Sequence, residues 1–325
     1  MPLRRSKVLL KKKKFNDNLW TNKIIIFSGK GGVGKTCIST GVALHLSQVV
    51  DKRILLISTD PAHNIADVLH VRTKKNQFTF KGKLDVKEID ADEESKRYIK
   101  QVSNTMKEYV HPEQYSEVEK YLQLARLSPG LQEAAMLDAL STYVLDNSGE
   151  YDQIIIDTAP TGHALRLMTL PSIMTEWMQI LLKKKKKTEK LKEQWGSNTH
   201  GITKAREVIE NRIHKYQKLM DLLIDPKQCS FNFIMNAEHI SYQESLRAIK
   251  TLNQFKIKIS GLYINKVLNT QQLLKANEPK EREQKRIIQQ AHKHFHKVPI
   301  IKFPQIENPL HGDLELLKLI KSLYV

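Results

Sequence analysis

Cys37 and Cys229 are the only thiols in this 325-residue chain, and no CxxC pair occurs. A disulfide framework is excluded, and so is a zinc site built from the thiolates of one chain. A reducing, cytosolic setting is expected. No run of about 18 uninterrupted apolar residues exists, so no segment reads as membrane-spanning. Near the N-terminus the only apolar patch is Val8-Leu9-Leu10, too short for a secretory signal. A mitochondrial presequence would favour arginine and serine over the lysines found there.

What is abundant is positive charge. The formal net charge is +18, and it is concentrated. Residues 1–14 carry seven Lys or Arg and no acid, and Lys183 to Lys187 are five consecutive lysines. Without those twelve charges the balance is +6. The basicity therefore belongs to segments more than to the body of the protein. Such runs read first as solvated, flexible stretches and second as binders of nucleic acid or an acidic lipid surface. Hydrophobic content of 40% against 27% charged predicts a buried core. Residues 1–18 read as a basic, flexible arm. Residues 19–325 read as one domain.

Short β-branched runs recur at 23–27, 54–58, 153–156, 231–235, 259–267 and 298–303, and helical patterns separate most of them. This alternation predicts an α/β fold with a largely parallel sheet flanked by helices. Two long helical stretches, about 92–145 and 167–220, interrupt it and predict an inserted helical subdomain. Both are rich in Leu and Met.

Residues 29–36 read GKGGVGKT, a match to G-x-x-x-x-G-K-[ST] between a strand and a helix. Glycines let backbone N–H groups wrap phosphates, and the helix N-terminus adds positive potential. Lys35 is placed to reach the terminal phosphates and Thr36 to ligate Mg²⁺. STDPAHN and DTAPTGH put Asp60 and Asp157 at the ends of two further strands, where open α/β sheets bind ligands. A lone strand-end Asp is usually a helix cap. Two beside a phosphate loop predict one carboxylate near Mg²⁺ and one near an attacking water. The reading is an α/β P-loop NTPase.

Lys30, five residues before Lys35, adds a resemblance. GKGGVGKT with its early lysine resembles the deviant phosphate loop of ATPases that dimerise around nucleotide. DPAHNIADVL (60–69) resembles switch I of the arsenical-pump-driving ATPase family, and DTAPTGHALRLMTLP (157–171) its switch II. SPGLQEAAMLDAL, AEHISYQESLRAI, GLYINKVL and KFPQIENPLHG resemble further elements of that family, from about residue 20 to the C-terminus. Within that family the chain resembles the eukaryotic branch, which targets tail-anchored membrane proteins.

The resemblance implies a Mg-dependent ATPase that works as a homodimer. Gly29, Lys30, Gly31, Gly32, Val33, Gly34, Lys35, Thr36 and Cys37 would hold ATP, with Glu238, Asn265 and Pro304 around the nucleoside. Lys30 would reach the partner's nucleotide. Asp60 would orient the hydrolytic water. Thr36, Asp60 and Asp157 would lie around Mg²⁺, and Asn64, Gly162 and His163 would belong to the switches. Apolar helices would shield a client's transmembrane segment, with Leu127, Leu131, Met136, Leu140, Met174 and Met178 as groove candidates. Taken singly, these residues suit ordinary core equally well. A cytosolic factor with peripheral association at the endoplasmic reticulum, where a membrane receptor accepts it, is implied. Nucleic acid is not expected as a partner. The alternative is a partitioning-type deviant P-loop ATPase on DNA or a membrane surface.

Two departures matter. Most eukaryotic members carry a zinc-binding CxxC, and residues 270–290 here have no cysteine, so no zinc is expected. Cys37 replaces the usual hydroxyl residue after Thr36, and a thiol is a weaker donor. His292, His294 and His296 do not form a convincing metal set, since only the first and last share a helix face.

Overall fold

The computed structural model describes residues 17–62, 65–73, 76–107, 113, 115–116, 119–120, 129–193, 200–268, 279–306 and 312–323. Strands β1 (Ile24–Gly29), β2 (Ile54–Ser58), β3 (Gln77–Phe80), β4 (Leu84–Glu88), β5 (Gln153–Asp157), β6 (Cys229–Asn236), β7 (Ile259–Val267) and β8 (Ile300–Pro304) form one sheet. Their order is β3-β4-β2-β5-β1-β6-β7-β8. Only β3 is antiparallel to its neighbour. The expected α/β fold, with a largely parallel sheet, is what the chain adopts.

The helices in chain order are α1 (Lys35–Gln48), α2 (Ile65–Val68), α3 (Ala91–Lys107), α4 (Pro129–Asp146), α5 (Thr161–Glu193), α6 (His200–Ile224), α7 (His239–Gln254), α8 (Pro279–His294) and α9 (Asp313–Lys321). The central strands are buried on both faces, which is why they read as near-continuous apolar runs. Their side chains still alternate. Ile24, Ile26, Leu55, Ile57, Ile154 and Ile156 face one apolar cluster. Ile25, Phe27, Ile54, Leu56 and Ile155 face the other. The second face is covered by α1 and α9. They approach closely because Gly41 has no Cβ, which would stand 2.9 Å from Ile320 Cγ1. Beneath them the buried Trp20 indole donates to the Tyr263 hydroxyl at 2.7 Å.

The first face carries the helical layer. Leu137 and Leu140 of α4, Met168 and Leu182 of α5, and Tyr216 and Leu219 of α6 belong to the same cluster as the sheet residues below. Polar ties cross the layer. Arg166 Nη1 pairs with Glu133 Oε1 at 3.0 Å, and Lys215 Nζ with Asp138 Oδ1 at 3.2 Å. Helix α5 runs through Pro171 and on to Glu193. Lys183–Lys187 are therefore helical, within the helical stretch expected over about 167–220. Residues 1–16 of the basic arm lie outside the described residues, as do Asn64, Leu127 and residues 269–278.

The β3–β4 hairpin has no counterpart in the six strands expected from the sequence. Its segments are half-buried, with alternating rather than continuous apolar residues. Its function is local. Glu88, at the end of β4, is 4% exposed, and its Oε1 accepts the Ile65 N–H of α2 at 2.9 Å. The start of α2 is thereby fastened to the sheet.

Candidate nucleotide site

The phosphate loop is shaped by what surrounds it. A Cβ on Gly29 would lie 2.1 Å from the Ile234 carbonyl oxygen of the neighbouring strand. Gly34, the N-cap of α1, has φ +93°, and a Cβ there would lie 2.4 Å from Asn265 Nδ2. Glycine is needed at both for different reasons, contact at the first and backbone conformation as well at the second. The Asn265 amide donates to the Val33 carbonyl at 2.8 Å, tying the end of β7 to the loop.

Lys35 is 5% exposed and donates to the Lys30 carbonyl across the loop at 3.2 Å. Burial lowers its pKa, and the carboxylates of Asp157 and Asp60 partly restore it. Asp157 ends β5 and is fully buried. Burial pushes its carboxyl up to about 7, although Thr36, Lys35 and Ser39 favour the charged form; Asp60 opposes it. The Thr36 and Ser39 hydroxyls lie near the Asp157 oxygens, but neither oxygen makes a well-formed hydrogen bond. Ser28, Thr158, Thr161 and Asn236 also hold buried polar atoms without partners, all near the carboxyl ends of β1, β5 and β6. Orphaned groups of this kind, gathered at the carboxyl ends of central parallel strands, suit a polar ligand and its water. An acidic oxygen pair beside the Thr36 hydroxyl is a fitting donor set for Mg²⁺.

Above the loop opens a pocket of ≈ 1050 Å³, lined among others by Gly32, Thr36, Cys37, Asp60, Asn265 and Lys266. Asp60 is half-exposed, with Oδ1 accepting the Ala62 N–H at 3.1 Å. Burial and the Asp157 charge raise the Cys37 thiol pKa, and Lys266 pulls it back. These effects favour the neutral thiol.

The remaining expected residues fall elsewhere. Lys30 and Gly162 line a second pocket of ≈ 370 Å³ on the outer side of the loop, with Glu244 and Arg247 of α7. His163 borders a third, of ≈ 220 Å³, between Pro61, Met136 and Leu167. Glu238 is exposed at the N-cap of α7 and does not line the large pocket. Pro304 ends β8 and does not line it either. Of the groove candidates, Met136, Leu140 and Met178 are packed in the core, Leu131 is half-buried, and Met174 packs against that core. The exposed apolar side chains of that layer are instead Ile173, Trp177 and Ile180. His294 pairs with the Tyr242 hydroxyl and stacks on its ring. Among the described residues no group of three or more His, Cys, Asp or Glu could hold a metal ion. The sequence reading missed Glu244, Glu88 and Lys266. Lys266 could have been noticed, since it adjoins Asn265.

A phosphate loop after the central strand of a parallel sheet, with two acids at neighbouring strand ends, defines a P-loop NTPase. Residues 22–325 match the family model described as Anion-transporting ATPase, and the chain belongs to that family. It is an ATPase. It is 32% identical over 304 residues to the putative arsenical pump-driving ATPase 2 of Aquifex aeolicus (strain VF5), covering 93% of this chain and 99% of that protein. ATPase ASNA1 homolog 1 of Paramecium tetraurelia is 29% identical over 306 residues, covering 90% and 89%. The ATPase ASNA1 homolog of Dictyostelium discoideum is 25% identical over 307 residues, covering 93% and 89%.

Proposed function

We propose that this ATPase uses ATP binding and hydrolysis to hold and release the transmembrane segment of tail-anchored membrane proteins. It does so as a cytosolic homodimer that hands clients to a receptor at the endoplasmic reticulum. The observation that carries this reading is the stripe on α5. Ile173, Trp177 and Ile180 are 49%, 60% and 52% exposed. Their i, i+4, i+7 spacing puts them on one helix face. A large apolar stripe left in water suits an apolar partner. Among the described residues no helix of the protein itself is long and apolar enough to cross a membrane.

The chemistry assigned to the site follows from its residues. The loop amides and Lys35 hold the β- and γ-phosphates of ATP. Thr36 and Asp157 would hold Mg²⁺, which screens the phosphate charge when bound. Asp60 lies on the open side of the loop and orients the attacking water. Asp157, at the end of β5 and four residues before α5 begins, is placed to couple the bound charge to that helix. Lys30 would supply positive charge to the partner's nucleotide.

Co-expression with a model tail-anchored protein tests the reading. The pair should elute as a soluble complex, and Trp177→Glu with Ile180→Glu should abolish it while ATP turnover persists. Failure of the wild-type protein to capture any client, or undiminished capture by the variant, would sink it.

A further inference from the structure

We propose that Lys266 is a third lysine of the nucleotide site, binding the polyphosphate of its own chain's nucleotide from the β7 side of the loop. The inference rests on the ATPase activity of the family and not on the client reading.

The backbone around Lys266 departs from a plain strand. In the pairing of β7 with β8, Ile264 faces Lys302 and Val267 faces Pro304. Three steps along β7 therefore match two along β8, which places one extra residue, a bulge, between Ile264 and Val267. Lys266 sits in that bulge with φ +54°. A left-handed conformation is uncommon for a residue with a Cβ and has to be held by its surroundings. Bulges next to active sites re-aim side chains.

The hold is visible. Lys266 N–H donates to Asn265 Oδ1 at 2.9 Å. Gln284 of α8, only 7% exposed, grips the bulge from both sides. Its Nε2 donates to the Lys266 carbonyl at 3.1 Å, and its Oε1 accepts the Leu268 N–H at 2.8 Å. A buried glutamine spent on two backbone groups fixes the local conformation.

The result turns the lysine toward the phosphate loop. Its Nζ stands 3.5 Å from the Gly32 carbonyl oxygen, a marginal contact, and its side chain is exposed. It lines the same pocket as Lys35, Thr36 and Asp60. Its charge is felt at Cys37 in the first turn of α1. A cation held over the loop, with only a weak carbonyl partner, is placed for an anion. The anion that this pocket takes is a nucleoside polyphosphate. Lys30 is turned to the other side of the loop, so Lys266 and Lys35 are the two lysines that line the large pocket.

Two substitutions separate the charge from the backbone. Lys266→Asn keeps a residue that tolerates positive φ but removes the charge. Lys266→Arg keeps the charge. Titration with Mg·ATP and Mg·ADP should show affinity about fivefold weaker in the Asn variant, as expected for one exposed charge contact of about 1 kcal/mol. Its affinity should also fall less steeply between low and high salt. The loss should lie in KM more than in kcat, and the Arg variant should bind nearly as wild type. Thermal unfolding without nucleotide establishes that both variants fold. An Asn variant that binds as tightly as wild type would overturn the proposal, because the bulge would then serve the backbone alone. An Arg variant as weak as the Asn variant would overturn it too, since charge would not be what acts.

Discussion

Lys30 Nζ lies 3.3 Å from Glu244 Oε1, so the lysine expected to serve a partner's nucleotide is paired, in the single chain, with an acid on α7. The two side chains are 39% and 35% exposed. A pair so wet contributes at most about 1 kcal/mol. It is strong enough to bias the lysine and weak enough to release it.

The first prediction follows from that bias. Glu244→Gln should free Lys30 and raise ATP turnover at limiting protein concentration by up to about fivefold. The unfolding temperature should hardly change. Lys30→Met should retain nucleotide and lose turnover. A drop in turnover for Glu244→Gln would show that the acid is needed in the working state and does not merely hold the lysine back.

Asp60 and the phosphate loop should have separable duties. Asp60→Asn leaves the loop, Lys35 and Thr36 intact, so Mg·ATP should bind with nearly unchanged affinity. Turnover should fall at least ~100-fold, the usual worth of a group that positions or activates water. A variant that binds ATP poorly and hydrolyses what it binds at a normal rate would assign Asp60 to binding instead.

Asp157 makes the nucleotide-free protein sensitive to pH. Its carboxyl titrates near 7 in the fold against 3.8 as a free group. Between those values the folded state keeps a proton that the unfolded chain has lost. Stability from this group is therefore full below pH 4 and declines as pH rises to 7, by at most about 4 kcal/mol. Unfolding temperatures measured without nucleotide should fall across that window, and Asp157→Asn should flatten the slope. Saturating Mg·ATP should flatten it in wild type as well, because the bound cation favours the ionised carboxylate. A wild-type slope identical to that of the Asn variant would mean that the buried carboxyl finds compensation in the folded protein.

How much of this was written in the sequence depends on how local the signal is. Gly29 to Thr36, Asp60 and Asp157 are legible because loop, strand end and chemistry are contiguous. The central strands are legible because burial on both faces makes them apolar throughout. The β3–β4 hairpin is not, because half-buried strands such as Leu84–Glu88 carry one apolar residue in two. The apolar face of α5 is harder still. Met136, Leu140 and Ile173 are all apolar residues on helices, and only tertiary packing decides that the first two are core while Ile173 is exposed. Glu244 and Lys266 gain their meaning from neighbours distant in sequence, Lys30 and Gly32, and no motif spacing records that.

Gly34 and Asn265 should behave as a unit. Gly34→Ala meets two penalties, a left-handed backbone at φ +93° and a Cβ 2.4 Å from Asn265 Nδ2. The first costs about 1–2 kcal/mol. The second must push Asn265 off the Val33 carbonyl and loosen the loop. Mg·ATP affinity should fall more than tenfold, as for a few kcal/mol of misplacement. Asn265→Ala alone should cost about 1–3 kcal/mol of stability for two lost hydrogen bonds, one to the Val33 carbonyl and one from the Lys266 N–H. In the double variant the collision is gone and the backbone penalty stays, so its loss should be smaller than the sum of the two. Strict additivity in unfolding and binding measurements would show that the contact between them carries no energy, and the requirement for glycine would then rest on the backbone conformation alone.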